Sequence, residues 1–226
     1  MKPEERHSTG VIWFNIIKVI ESIEEKGLYI RVNRVISFFL DDKIRYIGAS
    51  SLKKVGKVLD AGTGPGLTFR LIEAEFKVGF DASLKMLKKL RAKDVDVVCG
   101  VFEYMPFRRN SFDGLIAAYS FRDSFDKAKA LAEFLRVTSR RIVLVDIGKP
   151  CNPLFRIVIG LYIKYLVPVI AALLTGDFRN EWWSLYETYE ENWTNCALAK
   201  ALDNFGNVIQ IEKMFGGLQV TILDKR

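Results

Sequence analysis

Histidine, cysteine and glutamine are scarce in this chain, and each scarcity narrows its chemistry. His7 is the only histidine, and the three cysteines, Cys99, Cys151 and Cys196, lie far apart and form no C-x-x-C. A zinc site or a disulfide framework is therefore not expected, no metal ligand set is evident, and the chain reads as intracellular, with a cytoplasmic location. Glutamine occurs only at 210 and 219 while Lys, Arg and Glu abound, a bias that hints at a thermophile. There is no uninterrupted spanning run of the roughly 18–20 apolar residues a membrane helix needs. The longest apolar stretch, "LFRIVIGLYIKYLVPVIAALL" at 154–174, is interrupted by Arg156 and Lys164 and holds Pro168, which is expected to break it into a buried or interfacial helix pair. The opening "MKPEERHSTG" is polar and charged, unlike a signal peptide. Repeats and low-complexity segments are missing too.

What is present suits one ordered domain. Half of the 226 residues are hydrophobic and 27% are charged, enough for a single sizeable core. The net charge of +7 fits nucleic acid, an anionic membrane or an anionic substrate, or has no specific meaning. Lys and Arg are scattered rather than clustered, which weighs against nucleic acid.

Two amphipathic helical patterns open the chain, at 11–25 and 31–47. From Lys57 onward, short apolar runs alternate with helical stretches. "KVLDA", "KVGFDAS", "VDVVCG", "FDGLIAAYS" and "RRIVLVDIGKP" hold five strands, separated by helices at "TFRLIEAEF", "LKMLKKLRAK" and "KAKALAEFLRVT". That alternation predicts an α/β fold with a parallel sheet covered on both faces. After the apolar stretch come a helix at "LAKALDNFG" and two final strands joined by a tight connection at Gly216 and Gly217.

The chemistry is expected at "VLDAGTGPGLTF", where the first strand ends. In such sheets the ligand sits at the carboxyl ends of the strands. Gly62, Gly64 and Gly66 give G-x-G-x-G, but Leu67 stands where a dinucleotide fingerprint needs its third glycine, and no Lys follows as in a P-loop. An acid at the strand end followed by alternating glycines resembles motif I of the class I S-adenosylmethionine-dependent methyltransferases. Glycines let the backbone approach an amino acid and a ribose closely, and Asp60 supplies negative charge near the cationic end of that ligand. Asp81, 21 residues later at the end of the second strand, is placed to accept from both ribose hydroxyls.

The resemblance extends over nearly the whole chain. Glu103, Pro106, Phe107, Asn110, Phe112 and Asp113 match the "E-x-L-P-F … N-x-F-D" of the ubiquinone/menaquinone biosynthesis C-methyltransferase family. Tyr119 to Asp123, with Asp126, Ala130 and Leu131, match its "F-G-L-R-N-x-x-D-x-x-x-A-L" loosely, and "VDIGKP" approximates "L-E-F-S-K-P". Tyr29, Asn33 and Ser37 fit "Y-D-x-x-N-x-x-x-S". Ile30, "RVTSRR" at 136–141 and Asp123 depart from the family pattern, and bear on the acceptor more than on the donor.

The resemblance implies a Rossmann-like, mostly parallel seven-stranded sheet with a C-terminal antiparallel hairpin. One domain would comprise a helical cap (1–50), a cofactor-binding core (55–150), an apolar lid (151–205) and closing strands (206–226). S-adenosylmethionine is the implied cofactor, and the implied reaction is methyl transfer to a ring carbon of a prenylated quinol. The expected cofactor residues are Asp60, Gly62, Thr63, Gly64, Gly66, Thr68, Asp81, Ala82, Val101, Phe102, Glu103 and Ala118. Val101 and Phe102 would pack on the adenine and Glu103 would reach its amino group; Glu103 as a plain loop acid and Thr68 as a local cap are the alternatives. Arg122 would steady phenolate charge, Asp123 would take a proton, and Tyr29 and Tyr119 would line the ring pocket, against the alternative of an Arg122–Asp123 salt bridge. The expected partners are a lipid-like small molecule, a membrane surface touched peripherally by 154–174, and a second copy of the chain; the alternative for 154–174 is a buried insertion. Competing functions are methylation of another small molecule or RNA, and non-catalytic binding. RNA is weakened by "AAYSF" standing where an amino-group methylase carries N/D-P-P-Y/F.

Overall fold

The computed structural model describes Glu21, residues 29–90 and 95–176, Trp182 and residues 184–226. The helix expected at 11–25 (apart from Glu21), Trp183 and the side chain of Tyr29 lie outside the described residues.

Seven strands form one sheet: β1 (Lys57–Ala61), β2 (Phe76–Asp81), β3 (Asp96–Cys99), β4 (Phe112–Ala118), β5 (Thr138–Ile147), β6 (Gly206–Lys213) and β7 (Leu218–Lys225). Their order is β3-β2-β1-β4-β5-β7-β6. The first five are parallel, β7 runs antiparallel to β5, and β6 pairs antiparallel with β7, as the resemblance implies. From β1 the chain winds outward to β2 and β3, then returns to the other side of β1 as β4. That reversal opens a crevice at the carboxyl ends of β1 and β4.

Adjacent residues of each central strand serve opposite faces. Leu59, Leu115 and Leu144 join Phe80, Phe134 and Leu202 in one apolar layer. Val58, Ile116 and Val143 join Ile44, Leu52 and Val220 in the other. A parallel sheet covered on both faces needs these continuous apolar runs.

The helices are α1 (Tyr29–Ile36), α2 (Asp41–Ser50), α3 (Leu84–Leu90), α4 (Lys127–Val137), α5 (Pro153–Thr175), α6 (Ser184–Glu191) and α7 (Asn195–Asp203). Four expectations need correction. The pattern at 31–47 is two helices, because Phe38 and Phe39 adopt positive φ and Ser37 takes up the free N–H of Asp41 at the start of α2. "TFRLIEAEF" makes only a 3-10 turn at Phe69–Leu71 before the chain extends into β2.

Pro168 does not break the apolar stretch: α5 runs as one helix of 23 residues. A π-helical turn at Tyr162–Leu166 precedes the proline and moves the carbonyls its ring would meet. Lastly, Cys151 and Cys196 form a disulfide that ties the entry of α5 to α7. Spacing in sequence concealed this pair because α7 folds back beside the end of β5, where the Asn195 amide donates to the Lys149 carbonyl at 2.9 Å.

Candidate active site

The glycine loop follows β1 directly. Gly62 has φ +73°, and a Cβ there would strike Ser120, so only glycine lets the loop pass under the end of β4. Gly64 has φ +52° with open space where a Cβ would point, which leaves its backbone face free for a ligand. Asp81 holds this loop from the neighbouring strand: its Oδ2 accepts from the Gly64 amide at 2.8 Å and its Oδ1 from the Ser83 amide at 2.8 Å.

Above the loop lies an open cleft. Gly62, Thr63, Gly64, Asp81, Ala82, Val101, Phe102, Glu103 and Ala118 line it, nine of the twelve expected cofactor residues. Burial raises the carboxyl pKa of Asp81 and Glu103. Glu103 accepts from the Asp126 amide at 3.1 Å, and Phe102 also packs edge-on against Phe134 in the core.

The other three expected residues stand behind the wall. Gly66 packs against Leu90. Thr68 is buried and its Oγ1 accepts from Arg45 at 2.9 Å, so it neither faces the cleft nor caps a turn with its side chain. Asp60 is 1% exposed and lies beneath the loop, where its Oδ2 accepts from the Thr63 hydroxyl at 2.7 Å. Its Oδ1 has no partner. Burial raises its pKa to about 7. Asp60 thus lies outside the lining of the cleft, with Thr63 between the two.

A second cavity adjoins the first. Its polar end carries Asn33, Asp41, Arg45, Tyr119, Arg122 and Asp123, and its apolar end is built by Ile159, Ile163 and Val167 of α5 with Trp182 and Leu185. Arg45, Tyr119 and Asp123 line both cavities and so stand at their junction.

Arg122 is buried between two acids: it bonds Asp146 at 2.5 Å and lies 3.4 Å from Asp123. The salt-bridge alternative therefore holds for its head group, although its side chain still borders the second cavity. Burial lifts the Asp123 carboxyl to about 6, with Arg122 opposing that rise. Sequence reasoning passed over Arg45. Its signal was an arginine beside Ile44 on the buried face of α2, four residues after a buried Asp41.

Sheet order, glycine loop and Asp81 define a class I methyltransferase that uses S-adenosylmethionine as donor. The fold alone has wide likeness. The plantazolicin methyltransferase solved with a desmethyl analogue and S-adenosylhomocysteine superposes with a TM-score of 0.64 at 14% identity, over 99% of this chain and 97% of that one. A possible histamine N-methyltransferase of Thermotoga maritima gives 0.59 at 17%, over 92% and 99%. The particular family follows from sequence: the model of the ubiE/COQ5 methyltransferase family matches residues 9–220, and the chain belongs to that family. A demethylmenaquinone methyltransferase of Thermotoga maritima is 33% identical over 174 residues, 72% of this chain and 75% of that one. Another, from Paenarthrobacter aurescens, is 37% identical over 66% of this chain and 61% of that one.

Proposed function

We propose that this enzyme methylates a ring carbon of a prenylated quinol in respiratory quinone biosynthesis. The observation that carries the reading is the second cavity: its polar end meets the donor cleft, and its far end is apolar and walled by α5. A hydroxylated ring with a hydrocarbon tail has that shape and polarity. Relatives named for demethylmenaquinone support it.

The bound donor supplies a sulfonium methyl, an electrophile that an electron-rich ring carbon can attack. The protein's part is to align and to manage one proton. Asp81 and the Gly64 backbone hold the donor's ribose and amino-acid part, and Val101 and Phe102 flank its ring. The ring carbon gains a methyl and loses a hydrogen as a proton. Asp123, lifted to about 6 at the junction, accepts the ring hydroxyl proton as the carbon attacks; the methylated carbon then gives up its own hydrogen as a proton, the ring oxygen takes a proton back, and one proton in net passes to solvent. Arg122 keeps Asp123 in place and restrains its pKa.

The outer face of α5 extends the reading to a membrane. Leu154, Val158, Leu161, Tyr165, Val169 and Leu173 are each at least half exposed along one side of the helix, while Ile159, Ile163 and Val167 are buried on the other. Exposed apolar stripes of this extent mark interaction surfaces. α5 is long and apolar enough to span a bilayer, yet its inner side is a wall of the cavity. An in-plane, peripheral contact at the cytoplasmic face fits both facts and lets a tail pass from lipid to cavity. The disulfide removes the ground on which an intracellular location was expected, and scarce glutamine alone supports a thermophile.

The test is turnover of a short-tailed demethylmenaquinone with labelled donor, in reduced and oxidised form. Methylation of the quinol alone is expected, since the quinone ring lacks the electron density. Equal methylation of both, or of neither, would overturn the acceptor assignment.

A further inference from the structure

The junction of the two cavities holds two buried hydrogen-bonding groups without a partner among the described residues. One is the Nε of Arg45, the other the hydroxyl of Tyr119. Arg45 is 6% exposed, and its only hydrogen bond within the described residues is from NH1 to Thr68. Its guanidinium lies 4.4 Å from the centre of the Tyr119 ring, so the two groups form one unit. No carboxylate lies within ion-pair distance of Arg45 among the described residues. Asp60 and Asp41 act on this region only at longer range, and burying a cation with no ion pair in contact is costly, as is burying a hydroxyl without a partner. Tyr119 also adopts φ +59°, a strained conformation for a tyrosine, fixed by its amide donating to Val145 at 2.6 Å. Three unfavourable features thus coincide where donor and acceptor must meet.

We infer that Arg45 and Tyr119 together receive the oxygen of the acceptor ring that neighbours the methylated carbon. Arg45 Nε–H and the Tyr119 hydroxyl donate to that oxygen, and the guanidinium charge favours its ionised form. The negative charge that drives attack from the ring carbon builds on this oxygen. Arg122 is unsuited to the task because its charge is already shared by Asp146 and Asp123. Asp123, in the same junction, is placed to take the proton that Arg45 helps to displace. The pair selects acceptors with a free ring hydroxyl beside the reacting carbon.

This inference rests on the quinol reading and is tested with the same assay, on the parent, Tyr119→Phe, Arg45→Met and Arg45→Lys. Tyr119→Phe is the clean variant: the hydroxyl has no partner among the described residues, so its loss should leave Tm unchanged or slightly higher. Expected for the reduced, short-tailed demethylmenaquinone are a ~10-fold fall in kcat/KM for Tyr119→Phe and ~100-fold for Arg45→Met at neutral pH, with partial rescue by Arg45→Lys. Affinity for S-adenosylhomocysteine, by calorimetry, should stay within about two-fold of the parent. The signature is the pH profile. Without the guanidinium the bound ring hydroxyl ionises at higher pH, so activity lost by Arg45→Met should return as pH rises. A loss independent of pH, or a parallel loss of S-adenosylhomocysteine binding, would overturn the inference while leaving the quinol reading intact. No turnover by the parent would remove the quinol reading and this inference with it.

Discussion

Asp81 and Asp60 are both acids at strand ends, but they serve the donor differently. Asp81 fixes the glycine loop through the Gly64 amide and borders the cleft itself. Asp81→Ala should weaken S-adenosylhomocysteine binding by ~100-fold, the scale of one charged hydrogen-bonding site, with the fold retained by circular dichroism. Asp60 is buried, with a folded pKa of about 7 against an unfolded value near 3.8. Between those values the folded state holds the proton more tightly, so the contribution of Asp60 to stability falls as pH rises through that window. Asp60→Asn should therefore gain in Tm relative to the parent from about pH 5 to about pH 8; a constant difference would contradict the buried, proton-holding carboxyl. Much of this site was legible. Nine of the twelve expected cofactor residues line one cleft because strand-end loops and alternating glycines have few other uses. Thr68, Gly66 and Asp60 stand outside the lining because Arg45, Leu90 and Thr63 take up their inner sides, which spacing alone does not reveal. Arg45 was missed because a single charge inside an amphipathic pattern is masked by its apolar neighbours.

Among the elements, the strands were legible and the connections less so. Continuous apolar runs mark strands buried on both faces, and each expected strand appears within a few residues. The helix expected at 68–76 fails for a geometric reason. Nine residues of helix rise only ~13 Å, too little to return along β1 and also reach sideways to the start of β2. A short turn and an extended segment cover that distance instead. α2 shows how an element positions one side chain. Gly48 packs so closely that a Cβ would meet Val145 at 2.4 Å, and this seats α2 on the sheet with Arg45 at the junction. Gly48→Ala should destabilise by ~1–3 kcal/mol and lower turnover, read from urea unfolding and kcat together. The disulfide secures the lid in the same manner. It closes a loop of 45 residues, and reduction or Cys151→Ser should cost ~2–4 kcal/mol.

At the scale of the whole molecule, one helix links three environments. The inner side of α5 walls the acceptor cavity, its outer side is apolar and exposed, and the Tyr162 hydroxyl ties it to α1 through the Ile36 carbonyl at 2.7 Å. Exposed Phe38 and Phe39 lie at the end of α1, and Phe38 stacks on Tyr162, so the apolar surface continues beyond α5. Vesicles of mixed anionic and neutral lipid should sediment the protein, and the double variant Val158→Glu, Leu173→Glu should stay in solution with unchanged Tm. A parent that stays in solution as a dimer dissociated by those substitutions would assign the face to a second copy instead. The central claim remains the chemistry: carbon methylation of a quinol. Its most direct measurement is carbon NMR of the product formed from donor labelled with carbon-13 in the methyl group. A label resonating as an aryl C–CH₃ is the predicted result; a label resonating as O–CH₃ would contradict the account.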